Sequence, residues 1–146
     1  MKASPLQLDH TQFGEIVLQP KTAKKFAPAV NVTTVPSFGR NESKPNQWQI
    51  KMRITFKGTD NKPAPYEGHI EVMGIFTVVA AEMPEDQKLK LVAITCPSIL
   101  YATAREVIAN LTARSMNGLF LLPSVSFADQ ILHPQEEPAA QAVGKE

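Results

Sequence analysis

Residues 48–57 constrain the fold more than any other segment, because apolar and polar side chains alternate there without interruption. The apolar positions are Trp48, Ile50, Met52, Ile54 and Phe56. This period of two predicts a β-strand with one face in a core and the other in water. Alternation resumes over residues 66–80 after the turn-forming sequence GTDNKPAP, so the two runs predict an antiparallel hairpin with a long connection.

The second run becomes apolar on both faces towards its end. Residues 72–79 are VMGIFTVV, a pattern that an exposed sheet face does not tolerate. The helices of one small domain cover one side of its sheet, and large exposed apolar patches are uncommon on monomers. We therefore expect another subunit to cover the second side, with Val72, Ile75 and Val79 at the oligomer interface.

Two further strands are predicted in the first 40 residues. Residues 6–18 show broken alternation, which predicts a long bent strand with a β-bulge at Gly14. Residues 26–35 are rich in β-branched side chains, and the flanking prolines predict an edge strand. Residues 37–46 combine Gly, Pro, Asn and Ser and predict a loop.

One long helix is predicted after Cys96. Pro97 and Ser98 suit its first turn, apolar residues recur at spacings of three and four up to Leu111, and Asn117-Gly118 suits its end. Residues 89–94, a short apolar run, fit either a strand or a helical turn.

An apolar crossover segment, residues 119–127, follows the helix, and residues 127–132 suit a brief second helix. We expect one domain over residues 1–133. The tail, residues 134–146, has almost nothing to bury and is expected to be disordered.

Composition excludes several classes of protein. The single cysteine cannot form an internal disulfide, and no charged start leads into a long apolar run. We therefore expect no signal peptide, no membrane span and a cytoplasmic location. Residues 1–65 carry ten Lys and Arg against four Asp and Glu, but the basic residues are not interleaved with aromatic ones, which argues against nucleic-acid binding.

Catalytic and metal-binding patterns are weak. The three histidines, His10, His69 and His133, lie far apart without metal-ligand spacing. Cys96 lacks an adjacent basic partner, which favours packing over nucleophilic chemistry. We therefore expect no enzyme activity, metal or cofactor. The apolar surface that remains suits either an ordinary core or the binding of hydrophobic segments of other proteins.

Several short motifs occur in an order that resembles the SecB family of export chaperones. The most specific are Cys96-Pro97, Ala104-Arg105-Glu106 and the ending Leu122-Pro123 to Phe127; residues 6–18, 26–32 and 74–76 also fit. The resemblance implies an α+β fold in which one long and one short helix pack on a four-stranded antiparallel sheet, assembled as a homotetramer, a dimer of dimers.

By the same resemblance, the chain is expected to be an ATP-independent holdase that keeps unfolded preproteins competent for export by the Sec translocase. The physical requirement is a long apolar groove and no catalytic group. The groove residues implied are Phe26, Val30, Val32, Tyr101, Leu119, Phe120, Leu122 and Phe127.

The resemblance also implies carboxylates on the sheet that dock the translocase motor SecA, here Glu15 and Glu71. Gln19 stands where another carboxylate is expected, and Lys51 and Arg53 add positive charge, which opposes a basic partner. Two alternatives stay open. One is a dedicated SecB-like chaperone that binds the antitoxin of a toxin-antitoxin system, and the other is a small-molecule-binding domain.

Overall fold

The computed structural model describes residues 1–130. Four strands come first: β1 (Leu6–Pro20), β2 (Asn31–Arg40), β3 (Gln47–Lys57) and β4 (Tyr66–Val78). One helix, α1 (Glu85–Thr112), follows them. The strands form a single antiparallel sheet in the order β1-β4-β3-β2. The predicted four-stranded antiparallel sheet with one long helix is confirmed.

Strand β3 follows its sequence pattern throughout, and β4 pairs with it as the predicted hairpin. Their even-numbered side chains are buried beneath α1, among them Ile54 and Ile70, both fully inaccessible. The odd-numbered side chains point to the other side of the sheet, which we call the open face. No described element covers the open face.

The edge strands differ from prediction in detail. In β1 the register with β4 shifts between Phe13 and Ile16, so the bulge expected at Gly14 is confirmed, and a second shift occurs after Leu8. Strand β2 lies at an edge as predicted, but it begins at Asn31, five residues later than predicted, and runs through Pro36 to Arg40. An edge strand tolerates proline because one side of its backbone needs no partner.

Helix α1 starts twelve residues earlier than Pro97. Its N-cap is Pro84, and two acidic residues, Glu85 and Asp86, occupy the first turn, where they favour the helix dipole. Pro97 is buried inside the helix. Its missing N–H and its ring weaken the backbone hydrogen bonding of the helix there. The apolar residues on either side pack on the sheet and keep the helix continuous.

The prediction of a brief helix over residues 127–132 is not supported up to Gln130, since residues 128 and 129 form only a turn. The rest of that segment and the predicted disordered tail lie outside the described residues. By length and composition α1 could cross a membrane. The core helices of globular proteins share those properties, and the buried side of α1 packs against the sheet in the core.

Candidate binding surface on the helix side

The crossover segment, residues 119–127, is held against α1 through its backbone. Arg105 Nε donates to the Leu122 carbonyl at 2.6 Å, and Tyr101 Oη donates to the Pro123 carbonyl. The Phe120 N–H donates to Thr112 Oγ1 at 2.9 Å. Three helix side chains therefore fix an extended segment that has no strand partner of its own.

Successive side chains of this extended segment face opposite ways. Phe120 and Leu122 point inward and are 6% and 0% exposed, whereas Leu119 and Leu121 point outward and are 61% and 52% exposed. The Phe120 ring centroid lies 5.5 Å from that of Tyr66 in the core. The segment therefore has an inward row of side chains, which packs in the core, and an outward row, which is exposed.

Further exposed aliphatic side chains lie at the C-terminal end of α1, in the turn after it and later in the crossover segment. We call these side chains the crossover ridge; each is at least 38% exposed, and they are Leu111, Met116, Leu119, Leu121 and Val125. Exposed large aliphatic side chains concentrated in one stretch of chain are characteristic of binding surfaces. Of these five, only Leu119 is among the groove residues predicted from the sequence.

A second incompletely covered surface lies on the helix side of β2. Helix α1 packs chiefly on β4 and β3, and among the even-numbered side chains of β2 it is Arg40, at the end of the strand, that reaches the helix through Glu85. Val32 and Phe38 pack against the core yet stay partly exposed, and Val30, just before the strand, does the same. Phe26 is also partly exposed.

The eight predicted groove residues thus divide into two sets. Four are accessible in whole or in part: Phe26, Val30, Val32 and Leu119. The other four belong to the chain's own core: Tyr101, Phe120, Leu122 and Phe127. Burial also raises the pKa of the Tyr101 hydroxyl, which keeps it a neutral donor to the crossover backbone.

The outward side of α1 is unusual because residues 91–104 contain no charged side chain. Ile94 and Ile99 are only partly covered, and Ser98 and Ala102 are exposed. A helix that is apolar or uncharged around its whole circumference is normally buried on all sides.

The carboxylates predicted to dock a partner are brought together on the open face. The bulge in β1 places the Glu15 N–H 3.1 Å from Glu71 Oε1. Each carboxylate also has a cationic or imidazole neighbour, since His69 Nε2 contacts Glu15 and Arg53 Nη1 lies 3.6 Å from Glu71 Oε2. The two carboxylates form a network with basic groups in place of an uncompensated acidic patch.

The residues predicted for the oligomer interface do not share one surface. Val72 is 2% exposed and faces α1 in the core. Ile75 is partly exposed on the open face, and Val79 is 53% exposed just beyond β4. The interface prediction therefore depends on Ile75 and Val79.

Within residues 1–130, no group of three or more His, Cys, Asp and Glu side chains is placed to hold a metal ion. Cys96 is fully buried, and burial raises the pKa of its thiol far above the ordinary value. A thiol in this state is a packing group in the folded chain.

A four-stranded antiparallel sheet with one covering helix, a backbone-anchored crossover and an exposed apolar row defines an α+β protein built around a hydrophobic surface. The family model described as preprotein translocase subunit SecB matches residues 12–137. The chain belongs to the SecB family.

Individual relatives agree with this assignment. The chain is 25% identical over 99 residues to protein-export protein SecB of Psychrobacter cryohalolentis, a match that covers 68% of this chain and 65% of that protein. It is 24% identical over 114 residues to the SecB protein of Rhodopseudomonas palustris, covering 78% and 70%. The alignment thus spans slightly less than two thirds of the Psychrobacter protein.

Among solved structures, the chain is similar to a SecB-like chaperone of Mycobacterium tuberculosis in complex with a peptide from an antitoxin. The TM-score is 0.60 at 15% identity, with 83% of this chain and 88% of that chain covered. This similarity supports the fold.

Proposed function

We propose that this protein is an ATP-independent chaperone that binds non-native polypeptides on its helix side and keeps them from aggregating. Membership of the SecB family supports the proposal. The observation that carries it is the crossover ridge, whose exposed aliphatic side chains are presented by a segment fixed through its backbone. No reacting group is needed for such a task, so the proposal includes no enzyme activity.

Burial of the crossover ridge supplies a binding free energy that suits a holdase. Full burial of one large aliphatic side chain stabilises a complex by about 1.5–3 kcal/mol. Five side chains that are already roughly half covered would contribute about 4–8 kcal/mol in total. Ordering the client offsets part of this, so the ridge and the β2 surface together support reversible binding without sequence specificity.

Unfolded preproteins destined for the Sec translocase are the first choice of client, because the named relatives are protein-export proteins. A dedicated role towards an antitoxin is the second candidate. Two observations favour it: the structurally similar chaperone holds an antitoxin peptide, and Arg53 and His69 engage the carboxylates that would dock SecA.

We also propose a homo-oligomer, with a tetramer as the family leads us to expect, in a cytoplasmic location. The uncharged stretch of α1 supports an oligomer more strongly than the open face does, since the open face is mostly polar. Light scattering at micromolar concentration tests this: a stable monomer would contradict it. Ala102→Glu is expected to shift the protein towards smaller species, because it buries an unpaired charge in any helix-mediated interface.

Suppression of aggregation tests the holdase proposal. Unfolded citrate synthase is diluted from guanidinium chloride into buffer with or without the chaperone, and light scattering is followed. Leu119→Asp and Leu121→Asp are expected to weaken suppression at least several-fold. The matched control is Val35→Asp, which adds the same charge at a 62% exposed aliphatic residue on the open face.

The outcomes separate clearly when oligomeric state and melting temperature are measured in parallel. Undiminished suppression by both ridge variants would exclude the ridge as the client site. Equal loss in the Val35→Asp variant would mean that added charge, and not the ridge, is responsible. Direct binding of purified SecA, weakened by Glu71→Lys, would favour export, whereas selective binding of an antitoxin segment without SecA binding would favour the second candidate.

A further inference from the structure

Positive charge lies within the crossover ridge near the turn that follows α1. Residues 107–128 contain a single charged side chain, Arg114, which stands between the ridge residues Leu111 and Met116. Arg114 is exposed. It has no ion-pair partner among residues 1–130. The α1 end of the ridge therefore presents aliphatic side chains around one unpaired cation.

The β1–β2 connection, residues 21–30, brings further lysines to the same turn. Asn117, in the turn between α1 and the crossover segment, donates from Nδ2 to the Lys21 carbonyl at 2.8 Å. Lys24 and Lys25 follow three and four residues later. Since consecutive Cα atoms are about 3.8 Å apart, the Cα atoms of these two lysines lie within about 11 and 15 Å of that of Lys21.

Lys24 and Lys25 have no carboxylate partner of their own. Both are exposed, and neither forms an ion pair with any of residues 1–130. Lys21 differs, because its Nζ lies 3.9 Å from Glu67 Oε1. The other oxygen of Glu67 accepts a hydrogen bond from the Gly58 N–H at 2.8 Å. Glu67 is therefore occupied by Lys21 and by the backbone.

The β3–β4 connection, which lies alongside, adds no net charge. The Ala27 N–H donates to the Pro63 carbonyl at 2.8 Å, so the two connections are in contact. The charged residues of the segment 58–65 are one aspartate and one lysine, Asp60 and Lys62. With this pair and the Lys21–Glu67 pair set aside, Arg114, Lys24 and Lys25 leave a net charge of +3.

The later part of the ridge has a different charge balance. Val125 is followed after four residues by Asp129, which is exposed. On α1, Arg105 holds the Leu122 carbonyl, and its neighbour Glu106 carries the opposite charge. Excess positive charge is therefore confined to the part of the ridge next to the turn after α1.

We propose that the crossover ridge selects client segments in which acidic residues flank one side of an apolar stretch. The apolar stretch covers the ridge, and the acidic flank lies beside Arg114, Lys24 and Lys25. An extended chain advances about 3.3 Å per residue, so acidic residues within about five positions of the apolar stretch reach the lysines. This inference rests on the proposed function and specifies the class of client that the same surface favours.

Charge of this kind acts on the choice of partner more than on total affinity. A client with a basic flank is repelled by the same three side chains, whereas an uncharged flank is neither attracted nor repelled. Single-stranded nucleic acid is a poorer occupant. Stacking on aromatic side chains supplies much of its affinity, and the five ridge residues include no aromatic one.

Fluorescence anisotropy tests the proposal with three labelled twelve-residue peptides that share one central apolar stretch. One flank carries three glutamates, three glutamines or three lysines. At 50 mM NaCl the glutamate peptide is expected to bind at least threefold more tightly than the glutamine peptide, and the glutamine peptide at least threefold more tightly than the lysine peptide. At 500 mM NaCl the differences are expected to fall below twofold, since exposed charges are screened.

The variant Lys24→Glu/Lys25→Glu is expected to remove or reverse this order, and Arg114→Gln to reduce it without adding a repulsive charge. The comparison protein is Lys2→Glu/Lys44→Glu, which makes the same change in net charge as the double lysine variant at exposed positions. Both of its positions adjoin segments bonded to the other end of β4. Circular dichroism checks that each variant is folded.

Equal binding of the three peptides, with Leu119→Asp still weakening all three, would keep the ridge as the client site and overturn charge selection. An unchanged order in Lys24→Glu/Lys25→Glu, or an equal loss of order in Lys2→Glu/Lys44→Glu, would also overturn it. Tighter binding of a ten-nucleotide oligothymidine that depends on the same lysines would make this a nucleic-acid site. If Leu119→Asp leaves all three peptides bound as before, the proposed function fails, and this inference fails with it.

Discussion

Truncation of two adjacent residues, Leu119 and Phe120, is expected to separate folding from client binding. Phe120 is 6% exposed and its ring lies 5.9 Å from Phe56 and 5.5 Å from Tyr66. Phe120→Ala leaves a cavity beneath the crossover segment and is expected to cost about 3–4 kcal/mol in free energy of unfolding. Leu119 is 61% exposed, so Leu119→Ala is expected to cost less than about 0.5 kcal/mol.

The single tryptophan provides the assay for this pair. Trp48 is 1% exposed in the core, so its fluorescence reports urea unfolding directly. For a chain near 150 residues, about 3–4 kcal/mol corresponds to a melting temperature lower by roughly 6–16 °C. Measurements at two protein concentrations, ten-fold apart, separate loss of core packing from dissociation of an oligomer.

The two variants should rank the other way round in client binding, with the larger direct effect for Leu119→Ala. Leu119→Ala is expected to weaken suppression of aggregation at unchanged stability, whereas Phe120→Ala should affect suppression only as far as the crossover loosens. Equal unfolding midpoints for the two variants would refute the assignment of inward and outward rows. A loss of about 2 kcal/mol or more in Leu119→Ala would show that Leu119 is buried in solution.

Three further predictions concern stability and reactivity. Glu85→Gln removes the charge of the carboxylate that accepts hydrogen bonds of 2.6 and 3.0 Å from Arg40 and, because Glu85 is half exposed, should cost no more than about 1 kcal/mol. Arg40 lowers the pKa of Glu85 below its ordinary value of 4.5, so this contribution is present above pH 4.5 and is lost as the pH falls through the lowered value; urea midpoints that differ equally at all pH values would contradict it. Cys96, fully buried with a raised thiol pKa, should react with a thiol reagent only at the rate of unfolding, and fast labelling of the native protein would disprove this. Asn117→Ala removes two side-chain hydrogen bonds to backbone carbonyls, at 2.8 and 2.6 Å, and should lower the free energy of unfolding by about 1–3 kcal/mol; an unchanged midpoint would show that water replaces them.

The sheet could be predicted from sequence because strand signals in this chain are local. A period of two in β3, and the same period in β4, needs no knowledge of distant residues. The β2 boundary was wrong for a non-local reason. Residues 37–40 have loop-like composition, but their backbone pairs with β3 and Arg40 lies 4.8 Å over the Trp48 ring.

The sequence pattern predicts a helix start at Pro97, twelve residues too late, because proline suits the first turn of a helix. Leu89, Val92, Ala93 and Cys96 recur at helical spacing, so the signal for an earlier start was present in the chain. What the sequence could not show is the sheet beneath them. All four are buried, and that packing outweighs the cost of a proline inside the helix.

The site was only half predictable for a similar reason. The crossover segment is apolar over most of its length, and this composition alone does not predict which of its side chains face inward. Alternation in an extended chain would have separated Leu119 and Leu121 from Phe120 and Leu122. That argument requires knowing that the segment is extended, which here follows from hydrogen bonds made by Tyr101, Arg105 and Thr112, side chains of the helix.

Those hydrogen bonds also bear on why the outward residues are leucines. All three act on backbone atoms of the crossover segment, so they hold the segment in place whatever side chains face outward. The fold therefore requires Phe120 and Leu122 but leaves Leu119 and Leu121 free to be polar, which solubility alone would favour. Two exposed leucines at positions that the fold does not constrain are best explained by the surface they present, and exchanging them for serine should leave the melting temperature unchanged while weakening client binding.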